Sequence, residues 1–218
     1  MMLLKPLAQL DERFLQQLCD DRCPESQTLE FKRHLPGNSE RDKLEACKDV
    51  AAMANTDGGD IVYGIEEEAG AASSISAMSE EPPDAAMRRI NQVLDAKTEP
   101  RIPGLRMQHI DVSNGYVLVL RVPASFDGPH CVRNDTNRRF VMRNGTGVTD
   151  MSFDQVRNAF DRTATLAERA RQFIAGRVDL ISGRKTTAPI KAGTVFTIHL
   201  VPLAGLAGRA PIDLRSIY

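Results

Sequence analysis

A chain of 218 residues is long enough for one sizeable domain, or for one domain and part of a second. With 42% hydrophobic and 26% charged residues its composition is ordinary for a globular protein, and no apolar run approaches the roughly 20 residues needed to cross a bilayer. A formal net charge of −1 excludes a uniformly basic, histone-like binder of nucleic acid.

Residues 8–20 place Leu10, Phe14, Leu15 and Leu18 at helical spacing and predict an amphipathic helix. Thr28-Leu29-Glu30-Phe31-Lys32 alternates, with Leu29 and Phe31 on one face, as a half-buried strand does. Pro36-Gly37-Asn38-Ser39 breaks the chain, and Ser39 is placed to cap a helix over residues 40–55 whose apolar stripe is Leu44, Cys47, Ala51 and Ala54. Asp57-Gly58-Gly59 ends that helix, the glycines supplying positive φ. Residues 61–65 are apolar on both faces and predict a central strand.

Residues 69–83 are small, acidic and Ser-rich, and predict a mobile loop. A helix over residues 84–96 follows, then strands over 105–112 and 116–122 joined at Ser113-Asn114-Gly115. Phe140-Val141-Met142 predicts a short strand ending at Asn144-Gly145. Helices are expected over 151–163 and 167–176, and a strand over 194–201. The character changes near residue 160. The expected organisation is one α+β domain over residues 1–158 and an extension over 159–218, an incomplete α/β segment belonging to a second domain.

Cys19, Cys23, Cys47 and Cys131 lack the paired spacing of a zinc site and read as reduced thiols. Met1-Met2-Leu3-Leu4-Lys5-Pro6 is too short and too soon interrupted for a signal peptide, so a cytoplasmic, membrane-free location is expected. No P-loop is present: the stretch from Gly176 to Thr186 has the wrong glycine spacing, and no ATP site is detected. Charge is uneven along the chain. Residues 66–85 carry six carboxylates and no base, whereas residues 133–143 carry Arg133, Arg138, Arg139 and Arg143 against Asp135.

Three stretches share a pattern with a known family. They are Glu25-Ser26-Gln27-Thr28-Leu29-Glu30-Phe31-Lys32, the segment from Ala51 through Asn55-Thr56-Asp57-Gly58-Gly59 to Glu67, and Arg139-Phe140-Val141-Met142-Arg143-Asn144-Gly145. In this order they resemble the Schlafen-type AlbA-like domain over roughly residues 20–158. The resemblance implies an AlbA-like mixed sheet packed with helices, and binding of nucleic acid, either structured RNA or DNA. It also implies a paired arrangement of lobes, hence a homodimer.

In ribonuclease members of that family a three-carboxylate centre holds Mg²⁺ or Mn²⁺, and the matching positions here are Glu25, Glu30 and Glu67. Hard oxygen ligands suit such cations and the phosphate they stabilise. Glu67 stands where those members carry Asp, which moves the carboxylate by roughly 1.3 Å. Periodicity leaves Glu66, Glu67 and Glu68 equivalent; only the resemblance selects Glu67. Five residues of strand span about 16 Å, so Glu25 can approach Glu30 only from a turn that folds back beside the strand. The alternative is that Glu30 pairs with Lys32 or Arg33 on an exposed strand face.

Lys32, Arg33, Arg138, Arg139 and Arg143 are the expected phosphate contacts, Arg143 foremost because the family motif places an arginine there. His130 reads as structural. With no Trp and three Tyr, stacking of bases on aromatic platforms is not expected. Three functions remain open at this point: a nucleic-acid-binding module without catalysis, a metal-dependent endoribonuclease acting on structured RNA, and an assembly domain.

Overall fold

The computed structural model describes residues 3, 5–183, 196 and 198. Apart from residues 196 and 198, the strand expected over 194–201 lies outside the described residues. The chain divides into two compact units, residues 1–156 and 157–218.

In the first unit, α1 (Glu12–Asp20) is capped by the Asp11 side chain, which accepts from the Phe14 amide. The first sheet has the order β1-β2-β7-β6, from β1 (Leu29–Lys32), β2 (Gly59–Tyr63), β6 (Arg106–Val112) and β7 (Gly115–Val122). β1 runs parallel to β2, and the other pairs are antiparallel. Side chains alternate across this sheet with period two. Ile61, Tyr63, Leu118 and Leu120 enter one core, with α2 (Glu40–Asn55) and α3 (Pro83–Lys97). Val62, Val117, Val119, Leu29 and Phe31 enter the other, with α1.

The second sheet, β5-β8-β9-β10, is wholly antiparallel: β5 (Thr98–Glu99), β8 (Cys131–Arg133), β9 (Arg138–Asn144) and β10 (Gly147–Asp150). α2 contacts β7 of the first sheet and β8, β9 and β10 of the second. That position explains why it is buried nearly all round from Ala46 to Ala54 and why four of those residues are alanines, which let neighbouring backbones approach. Ser39 caps it as expected, its hydroxyl accepting from the Asp42 amide at 3.1 Å.

Three sequence expectations are corrected. The loop over 69–83 contains β4 (Ala71–Ile75), which pairs with β3 (Ile65–Glu68) through the two-residue turn Ala69-Gly70. Both turn residues have positive φ, 52° and 77°, as the tight hairpin turn that matches strand twist requires. The central strand stops at Tyr63 because Gly64, at φ 100°, redirects the chain into β3. The two helices expected after residue 151 are one, α4 (Phe153–Ser182), since no Gly or Pro separates residues 163 and 167.

Gly58 and Gly59 hold the expected left-handed backbone, at φ 71° and 157°. A Cβ on Gly58 would sit 2.6 Å from both the Val122 carbonyl oxygen and the Ala124 amide, so the turn is closed to larger residues by contact as well as by conformation.

Candidate nucleic-acid interface

The opening motif folds as a turn. Ser26 and Leu29 exchange backbone hydrogen bonds at 2.9 and 3.3 Å, and the Glu25 amide donates to the Gly70 carbonyl at 2.8 Å. Glu25 thereby folds back beside β1, where its Oε1 accepts from the Phe31 amide at 2.8 Å. Burial pushes the Glu25 carboxyl above its ordinary value, the Phe31 amide opposes this, and the nearby Glu30 and Glu67 carboxylates raise it further. The three carboxylates therefore share one electrostatic neighbourhood.

They do not form a metal centre as arranged. Glu30 faces α2, the side of β1 opposite Leu29 and Phe31, and its two oxygens meet Lys32 Nζ at 2.6 Å and Arg143 Nη1. Lys32 also reaches Asp49 Oδ2 on α2 at 3.1 Å. Glu67 is exposed and accepts from the Gly70 amide within its own hairpin. Among the described residues no group of three or more His, Cys, Asp or Glu side chains is placed to hold a metal ion. The residues do not fit a Mg²⁺ or Mn²⁺ site in this conformation.

Glu30, Lys32, Asp49 and Arg143 instead form a charge-balanced cluster between β1, α2 and β9. Burial pushes the Asp49 carboxyl up to about 6, with Glu30 adding to the rise and Lys32 opposing it. Burial also acts to depress the Lys32 ammonium, but Asp49 and Glu30 outweigh it and hold the group above its ordinary value. Glu30 pairs with Lys32 as the alternative reading expected, but on a covered face rather than an exposed one.

Arg143 is corrected from phosphate contact to internal anchor. Its side chain has 0% exposure, pairs with Glu30, and donates from Nη2 to the carbonyls of Ser26 and Thr146 at 3.0 and 3.3 Å. Its Nε has no partner among the described residues. The helix-to-strand motif anchors the same strand. Asn55 Nδ2 donates to the carbonyls of His130 and Val141, both at 2.8 Å, and its Oδ1 accepts from the His130 amide at 2.7 Å. The Thr56 hydroxyl accepts from the Arg143 amide at 3.1 Å. His130 is fully buried, and burial pushes its imidazole below its ordinary value. A neutral ring can then donate from Nδ1 to the Pro100 carbonyl at 2.8 Å and accept at Nε2 from the Ser125 hydroxyl at 2.6 Å.

The remaining expected cations lie at the surface. Arg33 pairs with Glu66 at 2.9 Å, Arg138 with Glu99 at 3.1 Å and Arg139 with Asp150 at 2.9 Å. Arg139 borders an open cleft of about 450 Å³ between α2 and the β8–β9 hairpin, with Arg41, Glu45, Lys48, Asn134 and Asn137 also on its walls and Leu44, Val132 and Val141 as its apolar part. Arg41 and Lys48 were missed by sequence reasoning. Their signal is the helical spacing of Arg41, Leu44, Glu45 and Lys48, which puts all four on one face of α2.

A model of the family described as "Schlafen, AlbA_2" matches residues 25–152. The chain belongs to that family. Among solved structures it is similar to the DIP2311 protein from Corynebacterium diphtheriae, with 18% identity and a TM-score of 0.43 over 63% of this chain and 29% of that one. It is similar as well to the N-terminal domain of a putative ATP-dependent DNA helicase RecG-related protein from Nitrosomonas europaea, at 18% identity and a TM-score of 0.43 over 63% of this chain and 88% of that domain. No curated protein matches this chain significantly. Among the described residues no helix is long and apolar enough to cross a membrane.

Proposed function

We propose that this chain is a nucleic-acid-binding module that recognises phosphate and shape rather than base sequence. The observation that carries the reading is membership of the Schlafen AlbA_2 family, which is of nucleic-acid-binding type, across residues 25–152. The exposed arginines Arg33, Arg138 and Arg139 are suitable phosphate donors, and a chain without Trp has little with which to stack bases. Fluorescence anisotropy with labelled RNA and DNA tests the reading. Affinity should fall about tenfold or more between 50 and 200 mM salt if several phosphates are contacted. A strong preference for one base sequence at constant salt would contradict it.

Cleavage of structured RNA by Glu25, Glu30 and Glu67 would require Glu30 to leave both Lys32 and Arg143, and the arrangement described above does not favour it. Incubation of the pure protein with structured RNA, in Mn²⁺ and in chelator, decides the matter. Chelator-sensitive cleavage that Glu30→Ala abolishes in a folded protein would reverse the reading in favour of a nuclease.

A further inference from the structure

The cleft between α2 and the β8–β9 hairpin is concave and draws its cations from two separate elements. Arg41 and Lys48 come from α2, seven residues and therefore about 10 Å apart along the helix. Arg139 comes from β9, and Asn134 and Asn137 from the loop before it. Charges on the two walls sense one another: Glu45 on α2 contributes to raising the Arg139 guanidinium, and Lys48 to lowering the Asp150 carboxyl, in each case after the direct Arg139–Asp150 pair.

The cations are not equally committed. Lys48 is held by Glu45 on its own helix at 2.9 Å and Arg139 by Asp150, while the Arg41 side chain makes no hydrogen bond or ion pair among the described residues. Exposed pairs of this kind are worth little, so a phosphate oxygen can replace either carboxylate at small cost. The Asn134 Oδ1 is occupied by the amides of Thr136 and Asn137 at 3.0 and 2.7 Å, which fixes the loop and leaves the Asn134 amide nitrogen as the end able to donate to a ligand.

We infer that this cleft receives the sugar–phosphate backbone of a polynucleotide, with Arg41, Lys48 and Arg139 on phosphodiester oxygens and the Leu44, Val132 and Val141 side chains beneath the sugar. This rests on the nucleic-acid reading and specifies where it happens. The volume falls within the range of about 300–1,000 Å³ that holds a small ligand, which suits a short stretch of backbone and not a duplex in cross-section. No aromatic residue lines the cleft, so nothing there stacks on a base, and recognition is independent of sequence. A backbone lying across both walls would bridge α2 and the second sheet.

The test uses the full chain and a labelled 20-nucleotide single strand of mixed sequence, as RNA and as DNA, with the DNA duplex as a third arm. The double variant Arg41→Gln/Lys48→Gln should bind at least tenfold more weakly at 100 mM salt. Its log–log salt slope should be shallower by about 1.4 for single strands, two phosphates at roughly 0.7 each. Arg22→Gln, which removes an exposed cation paired with Glu68 away from the cleft, should bind as the unaltered protein does. As a readout independent of any variant, bound oligonucleotide should protect Lys48 from acetylation while Lys43 stays reactive. If the oligonucleotide binds but the double variant binds equally and Lys48 is unprotected, the cleft is not the site and the nucleic-acid reading survives. If none of the three probes binds at 50 mM salt, the nucleic-acid reading fails and this inference fails with it.

Discussion

Arg139 and Arg143 stand four residues apart on one face of β9, with Val141 between them, and they end in opposite surroundings. Arg143 is buried against Glu30 and two backbone carbonyls, whereas Arg139 is half exposed and paired with Asp150. The difference lies in what covers the strand. The Arg143 end meets β1 and the Ser26 turn, while the Arg139 end opens onto the cleft beside α2. An arginine in a family motif is thus not a functional arginine by its position alone. One that has lost its water is tied to the fold, and one that keeps it can exchange partners.

Removing Arg143 should give the largest effect. Arg143→Ala leaves the Glu30 carboxylate buried beside Lys32 only, and breaking a buried pair by deleting one partner costs about 3–5 kcal/mol. Urea denaturation measures it. Glu30→Met combined with Arg143→Met should recover much of the loss, because no charge is then left unpaired. If both proteins are equally unstable, the pair is not the unit of stabilisation.

Asn55 holds β9 between the two arginines through the Val141 carbonyl. Asn55→Ala abandons three backbone partners and should cost about 2–4 kcal/mol, at 1–3 kcal/mol for each buried group left unsatisfied but with some relaxation. Gly58→Val tests the turn that carries Thr56 to the Arg143 amide. A strained backbone position there should lower stability by about 1–3 kcal/mol, and an unchanged melting midpoint would count against the turn.

The buried cluster should also leave a mark on pH dependence. Asp49 has an ordinary value of 3.8 and is pushed up to about 6, so the folded protein holds this proton more tightly than the unfolded chain. Its contribution to stability is full below about 3.8 and is lost as pH rises through about 6. Asp49→Asn should flatten the stability profile in that window, and a profile that keeps its slope would place the titration elsewhere. The smallest effect on stability is expected at the other end of β9. Arg139→Gln should change it by less than about 1 kcal/mol, as exposed pairs do, while weakening oligonucleotide binding.

Several features were legible without a structure because their causes are local. The Ser39 cap, the Asp57-Gly58-Gly59 exit and the shared face of Leu29 and Phe31 each depend on a few neighbouring residues and took the expected form, although β1 is covered on both faces rather than half-buried. Strand geometry lets Glu25 come back beside β1 only through a turn, and the Ser26–Leu29 bridge supplies it. β4 escaped notice because Ala71-Ala72-Ser73-Ser74-Ile75 carries little strand propensity and is a strand through its pairing with β3 and the burial of Ala72. β8 and β10 are three and four residues long, too short to give a period of their own.

The sequence by itself determined the α+β class, the family, the order of the principal elements and the residue types at the candidate site. The tertiary structure alone decided which of those residues face water. Glu30 and Arg143 are 113 positions apart and nothing near either one announces the other. The tertiary packing of β9 against β1 and the Ser26 turn, with α2 alongside, covers them and binds Glu30 to two cations. Arg41, Lys48 and Arg139 instead line an open cleft between that helix and β9.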